Sequence, residues 1–176
     1  MIELRPVDPT FLLRAAVWFQ DRSIIGNDIP LVPWTANSLM SHFHQLDGHT
    51  WVFWEGGEPI GWGTINDVDP YHSSASIHVR IAVKRLGAGI EAISKLADWA
   101  FRTIKLHSLH TRRDISLAPE EEDWRFCRLE GVEKECVYVP VWDGEKKCWT
   151  ETWGDAKIYG ITRLEFYDSR VFGRYL

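Results

Sequence analysis

A chain of 176 residues is one domain's worth, able to bury roughly 70% of its unfolded surface without disulfides or metal; with 45% apolar and 26% charged residues it is no disordered tract, collagen-like repeat or coiled coil. Twenty Lys and Arg against 25 Asp and Glu give a net charge of −5, which argues against nucleic acid as a partner and suits a cationic or amine-bearing one. Cys127, Cys136 and Cys148 form no Cys-x-x-Cys pair, so neither a disulfide framework nor a zinc knuckle is expected, and a reducing cytoplasm is the expected compartment.

The opening Met1–Asp8 has no basic patch before an apolar run, so no signal peptide is expected. No stretch approaches the roughly 18 apolar residues of a membrane helix. Ten tryptophans are read as core and groove fillers rather than a base-stacking platform, because basic residues are not interleaved among them.

In chain order, Ile2 to Arg5 reads as a short strand, and Asp8 or Thr10 caps a helix running to about Gln20. Ser23 to Trp34, broken by Gly26, Asn27, Pro30 and Pro33, is loop, and Thr35 caps a second helix with Leu39, Phe43 and Leu46 on one stripe. The period then turns strand-like. Thr50–Trp54 and Pro59–Val68 flank a hairpin turn at Glu55-Gly56-Gly57-Glu58. In Ser74–Val83, the apolar Ile77, Val79, Ile81 and Val83 alternate with His78, Arg80 and Ala82, leaving one face able to carry chemistry. Ile90 to about Ile104 reads as a helix and Ser108–Ser116 as a strand. Pro119 then starts a helix that stops near Gly131, Val132–Trp142 is strand, and Ala156–Tyr167 is the last strand. Gly144–Asp155 reads as an insertion in the last hairpin. These elements predict a single α+β domain over residues 1–176, built on one mixed sheet.

The junction Lys84-Arg85-Leu86-Gly87-Ala88-Gly89 joins that alternating strand to the longest helix. Its glycines permit a tight turn, its first-turn amides and the helix dipole attract an anion, and Lys84 and Arg85 add cationic partners for a pyrophosphate. A dinucleotide-binding βαβ unit fits badly, because a third glycine is missing and the preceding strands are hairpin-linked. A P-loop fails for want of Gly-Lys-Ser/Thr.

These residues resemble the GCN5-related N-acetyltransferases, especially the ribosomal-protein-acetylating branch. The resemblance is carried by Ile2–Asp8, Pro59–Asp69, Lys84-x-x-Gly87-x-Gly89, Ala97–Phe101, Leu106–His110, Leu129–Val132 and Tyr159–Arg163. It implies a mostly antiparallel sheet flanked by about four helices and splayed at a V-shaped cleft that takes acetyl-CoA as co-substrate. The pyrophosphate would lie on the amides of Arg85, Leu86, Gly87, Ala88 and Gly89, and the pantetheine arm along Ile81, Ala82 and Val83. The implied reaction is direct acetyl transfer to an amine of a small molecule or protein, with no metal; a homodimer is left open.

Such a transfer needs a deprotonated amine near the thioester, a donor for the carbonyl oxyanion and a proton source for the leaving thiolate. The usual family residues are replaced: Ser76 stands where a glutamate base is common, Cys127 where a tyrosine acid is common and Glu120 where an asparagine is common. His78 is the substitute base, Ser76 a water relay and Cys127 a candidate proton donor; for His78 the alternative is a histidine bonded to a neighbouring loop, and for Cys127 a small buried hydrophobe. Asp28, Glu55 and Asp67 are candidate contacts for a cationic amine. Two further readings stay open, a catalytically inactive binding module and a transferase for longer acyl-CoA chains.

Overall fold

A computed structural model describes residues 1–21, 24, 33–45, 48–83, 85–114, 128–143 and 148–169, with the backbone alone for 112–114, 128–143 and 148–157. Strand β1 is Glu3–Arg5 and helix α1 is Pro9–Trp18. Asp8 is extended, and its Oδ1 accepts the Phe11 N–H at 2.8 Å, while Pro9 fills a first-turn position that needs no donor. Helix α2, Ala36–Gln45, starts at Thr35, whose hydroxyl accepts the Ser38 N–H at 3.2 Å. Strands β2 (Gly48–Glu55) and β3 (Glu58–Asp69) are joined by Gly56 and Gly57 at φ of 59° and 87°, which glycine adopts without steric cost.

Strand β4 is Ser74–Ile81 and helix α3 is Ala88–Trp99, which widens into a π-helical turn at Ala100–Ile104. Then come β5 (Ser108–Asp114), β6 (Arg128–Asp143), β7 (Cys148–Thr162) and α4 (Arg163–Asp168). The seven strands form one sheet in the order β1-β2-β3-β4-β5-β7-β6. Among the described residues, only β4 and β5 pair in parallel. The α+β class and the single mixed, mostly antiparallel sheet are therefore as the sequence predicts.

Five expectations are corrected. The strand expected to reach Val83 ends at Ile81, and the helix expected from Ile90 begins at Ala88, so Gly89 lies inside its first turn. The helix expected to stop near Gly131 has already given way to β6 at Arg128; its earlier part, with Glu120 and Cys127, falls outside the described residues. The segment from Cys148 to Asp155 is strand rather than insertion, pairing with β6 in one long hairpin. The last strand stops at Thr162, because Thr162 and Glu165 form a capping box: the Thr162 hydroxyl accepts the Glu165 N–H at 3.3 Å, and Oε2 of Glu165 accepts the Thr162 N–H at 2.8 Å.

Each face of the sheet has its own core. Phe53, Ile65, Ala75, Ile77 and Leu109 pack with Ile93, Leu96, Ala97 and Phe101 of the α3 side and with Phe166 of α4. Val52, Trp54 and Trp62 on the opposite face pack with Phe11, Leu12, Ala15, Phe19, Leu39 and Phe43 of α1 and α2. Burial of side chains this size is worth about 1.5–3 kcal/mol each, so the two layers hold β1–β4 rigidly beneath the site.

Candidate active site

The parallel pairing of β4 with β5 is short. It covers Ser74↔Ser108, Ala75↔Leu109 and Ser76↔His110 and then stops, although β4 continues to Ile81 and β5 to Asp114. β4 stays paired with β3 as far as Gly61↔Ile81, and β5 with β7 as far as Asp114↔Ala156. The sheet therefore opens between two strands that are each held from behind, which is the splayed cleft expected.

Backbone alternation gives the open edge its chemistry. The Ala82 N–H donates to the Ile60 carbonyl at 2.8 Å, so Ala82, Arg80 and His78 turn their peptide groups toward β3. Ile77, Val79 and Ile81 then turn theirs toward the opening. Of the three positions expected to border it, Ile81 is on this edge, Ala82 is spent on β3, and Val83 lies beyond the strand.

At the end of the edge the chain makes a turn and enters α3. Gly87 is the helix N-cap at φ 78°, ψ 0°, the left-handed region that favours glycine. The Ala88 N–H donates to the Arg85 carbonyl at 3.1 Å and the Glu91 N–H to the Gly87 carbonyl at 3.0 Å. By helix geometry the Gly89 and Ile90 N–H groups lack an intrahelical acceptor, at the positive end of the helix dipole. Leu86 is exposed beside them. Lys84 lies outside the described residues.

Arg85 is placed differently from expectation. Its Nη2 donates to Glu91 Oε2 at 2.9 Å, and its Nε lies 3.0 Å from Glu55 Oε2 without the alignment of a hydrogen bond. The guanidinium is held by two carboxylates, an arrangement the sequence reading did not expect of it. Glu55, expected near a cationic amine, is engaged in the same network, and Asp67 sits exposed at φ 51°. Glu91 is buried, and its Oε1 accepts the Ile2 N–H at 2.6 Å, tying β1 to the first turn of α3. Burial pushes the Glu91 carboxyl up, but the Ile2 N–H and Arg85 outweigh it and hold it below the ordinary carboxylate range.

The face of β4 away from the α3 core carries Ser76, His78 and Arg80, all half-buried. Register places Asn66 beside Ser76, Thr64 beside His78 and Trp62 beside Arg80. Across the start of the opening, Ser76 meets His110, whose Nε2 is 3.2 Å from the Ser108 hydroxyl. Two buried atoms in this region, Asn66 Oδ1 and Thr50 Oγ1, have no hydrogen-bond partner. Such atoms are rare in folded proteins; on the neighbouring strand the indole N–H groups of Trp51 and Trp54 are buried without a partner as well. The sequence reading missed Asn66, Thr64 and His110. A signal existed: Ser108 and His110 alternate with the buried Leu109 and Thr111.

Farther along the same face, Trp18 stacks on Trp62 at 6.2 Å and 9°, and Trp34 meets His42 at 5.1 Å. Burial pushes the His42 imidazole below its ordinary pKa. These rings belong to or border the α1–α2 core, the filler role expected for tryptophan. Cys127 and Asp28 lie outside the described residues. No group of three or more metal-ligating side chains occurs among the described residues, and no helix there is long and apolar enough to cross a membrane.

A family model described as the acetyltransferase (GNAT) family matches residues 17–119, more than half of the chain. No curated protein matches it. Among solved structures, a spermidine N-acetyltransferase chimera of the Vibrio cholerae and human enzymes superposes with a TM-score of 0.74 at 16% identity, covering 96% of this chain and 99% of the other. The Vibrio cholerae spermidine N-acetyltransferase in complex with CoA and spermine gives 0.69 at 17% identity, covering 95% and 98%. An N-acetyltransferase from Staphylococcus aureus Mu50 gives 0.68 at 16% identity, covering 92% and 98%. At such identities the likeness is one of fold. The relatives named here lend no support to the ribosomal-protein-acetylating branch.

Proposed function

The chain belongs to the acetyltransferase (GNAT) family, and from that premise we propose that it transfers acetyl from acetyl-CoA directly onto a primary amine, without an acyl-enzyme. The observation that carries this reading is the open edge of β4, which runs straight into the left-handed Gly87 and the α3 amides. From Ile81 back to Ile77 the strand spans about 13 Å. That is room for an extended pantetheine arm to pair with the Val79 and Ile81 peptide groups while its diphosphate rests on the Gly89 and Ile90 N–H groups. The acetyl thioester then lies near Ile77, where β4 and β5 part. CoA supplies an activated acyl group; the chain supplies position and proton transfer.

His78 takes the proton of the incoming ammonium, with Ser76 as a relay, because both project on the half-buried polar face beside the opening. Cys127 keeps its proposed place as a thiol donor in the family pattern. The net charge of −5 favours a cationic acceptor, and the Vibrio cholerae spermidine N-acetyltransferase is seen in complex with CoA and spermine, a cationic amine. We place this chain's acceptor among small cationic amines ahead of protein termini.

Acetyl-CoA at a hundred times its dissociation constant should stabilise the protein by about 2.7 kcal/mol in a thermal-shift assay. Thiol release should then appear with a polyamine or another primary amine in a panel. Stabilisation with no thiol release across such a panel would favour the binding module instead. A stronger shift with longer thioesters would favour the longer-chain transferase, and no shift with any thioester would remove the reading altogether.

A further inference from the structure

We propose that Arg85 is a positioning residue for the cofactor: its side chain sets the affinity for CoA by cancelling the charges of Glu55 and Glu91 beside the diphosphate, not by grasping the diphosphate itself. The inference rests on the reading just given and adds to it a residue that acts through others.

The need for such a residue follows from where the two carboxylates stand. Glu91 lies in the first turn of α3, one residue after Ile90, whose N–H is one of the two assigned to the diphosphate. A carboxylate there draws on the same positive end of the helix dipole that an anionic ligand uses. The Glu91 side chain is 8% exposed, so water screens it little, and its lowered pKa leaves it charged at neutral pH. Glu55 ends β2 and reaches the same guanidinium from the hairpin side. Two negative charges thus border the turn that must receive a third anion. At the effective dielectric of a protein surface, one uncancelled unit charge about 8–10 Å away changes the affinity for an anion about tenfold.

Arg85 meets both carboxylates, through Nη2 at 2.9 Å from Glu91 Oε2 and Nε at 3.0 Å from Glu55 Oε2. Its main chain is part of the turn as well. The Arg85 N–H donates to the Val83 carbonyl at 3.1 Å, and the Arg85 carbonyl accepts the Ala88 N–H at 3.1 Å. The cation is therefore fixed to the turn that presents the amides. The Met1 amino group, 3.4 Å from Glu55 Oε1, is exposed and weakened by water and salt. Cancellation falls to Arg85, and because the sum of charge is what the diphosphate meets, removing Arg85 and removing one carboxylate should offset each other.

The test is a double-mutant cycle on CoA affinity, read by calorimetry in wild type, Arg85→Gln, Glu55→Gln and the two combined, each checked for a single unfolding transition. Arg85→Gln should bind CoA about tenfold more weakly, Glu55→Gln about threefold more tightly, and the combined variant within about threefold of wild type. Pantetheine, which lacks the phosphates, should bind all of them alike. Arg85→Lys keeps the charge and should stay within about threefold of wild type for CoA. A combined variant as weak as Arg85→Gln would overturn the proposal, since Arg85 would then hold the phosphates directly. Pantetheine affinity lost in step with CoA affinity would also overturn it, making the residue a prop for the shape of the turn. Should Arg85→Gln fail to fold, tighter CoA binding by Glu55→Gln with near-wild-type binding by Arg85→Lys supports the proposal, and any other result overturns it. Wild type that binds no CoA overturns the underlying reading, a result distinct from every variant outcome above.

Discussion

Gly87→Val should abolish CoA binding and leave a folded protein. Gly87 holds φ 78° at the N-cap of α3, where a β-branched residue is strained by about 1–3 kcal/mol. A domain with the usual 5–15 kcal/mol of stability survives that. The amides it presents do not: relief of the strain rotates the Gly87–Ala88 peptide and re-aims the first turn of α3, so the N–H groups no longer converge on one anion. Calorimetry should show affinity for CoA lowered at least about a hundredfold, about 2.7 kcal/mol. Thermal unfolding should remain a single transition a few degrees lower. Gly87→Ala should fall between the two. Unchanged affinity in the valine variant would mean that the diphosphate does not sit on this turn.

Glu91→Leu should be among the most destabilising single changes on this side of the molecule. Glu91 is buried and holds the Ile2 N–H at 2.6 Å and Arg85 at 2.9 Å. Replacement orphans a buried backbone donor, a loss of about 1–3 kcal/mol. It also strips Arg85 of its buried partner; because Arg85 is 35% exposed and keeps Glu55, that part adds only about 1 kcal/mol. The sum, about 2–4 kcal/mol, lowers Tm by about 5–15 °C for a domain of this size. Glu91→Gln retains an acceptor for Ile2 and should lose about a third as much.

The pH dependence has a definite sign. Glu91's folded pKa lies below its ordinary value of 4.5, so its contribution is complete above that value and is lost as pH falls through the depressed folded value. The stability gap between wild type and Glu91→Gln, read by denaturant titration, should thus be constant near neutrality and close in acid. A gap that widened in acid would contradict the assigned network.

Much of this was legible in the sequence because local rules and tertiary packing agree there. The alternation of Ile77, Val79 and Ile81 with His78 and Arg80 gave the strand and its two faces, and Gly87 gave the turn. The capping of α1 at Asp8 and of α2 at Thr35 follows directly from side-chain chemistry. Legibility failed where long-range partners decide. Nothing local to Arg85 announces that Glu55, thirty residues earlier, and Glu91, a turn and a half later, will occupy its guanidinium. Sequence spacing cannot show that His110 stands opposite Ser76, since a parallel register is set by a crossover helix rather than by a turn. The stretch Gly144 to Asp155 is rich in Lys, Glu and Trp, which reads as an insertion, yet pairing with β6 makes Cys148 to Asp155 strand. The end of β7 was missed, the strand being expected to reach Tyr167, although Thr162 and Glu165 carry the spacing of a capping box.

The most direct test of the central claim is a crystal structure of the protein with CoA bound. The account predicts diphosphate oxygens about 2.7–3.2 Å from the N–H groups at the start of α3, and pantetheine amides bonded to the peptide groups of Val79 and Ile81. A nucleotide bound elsewhere, or a β4 edge closed against β5 by the chain itself, would contradict it.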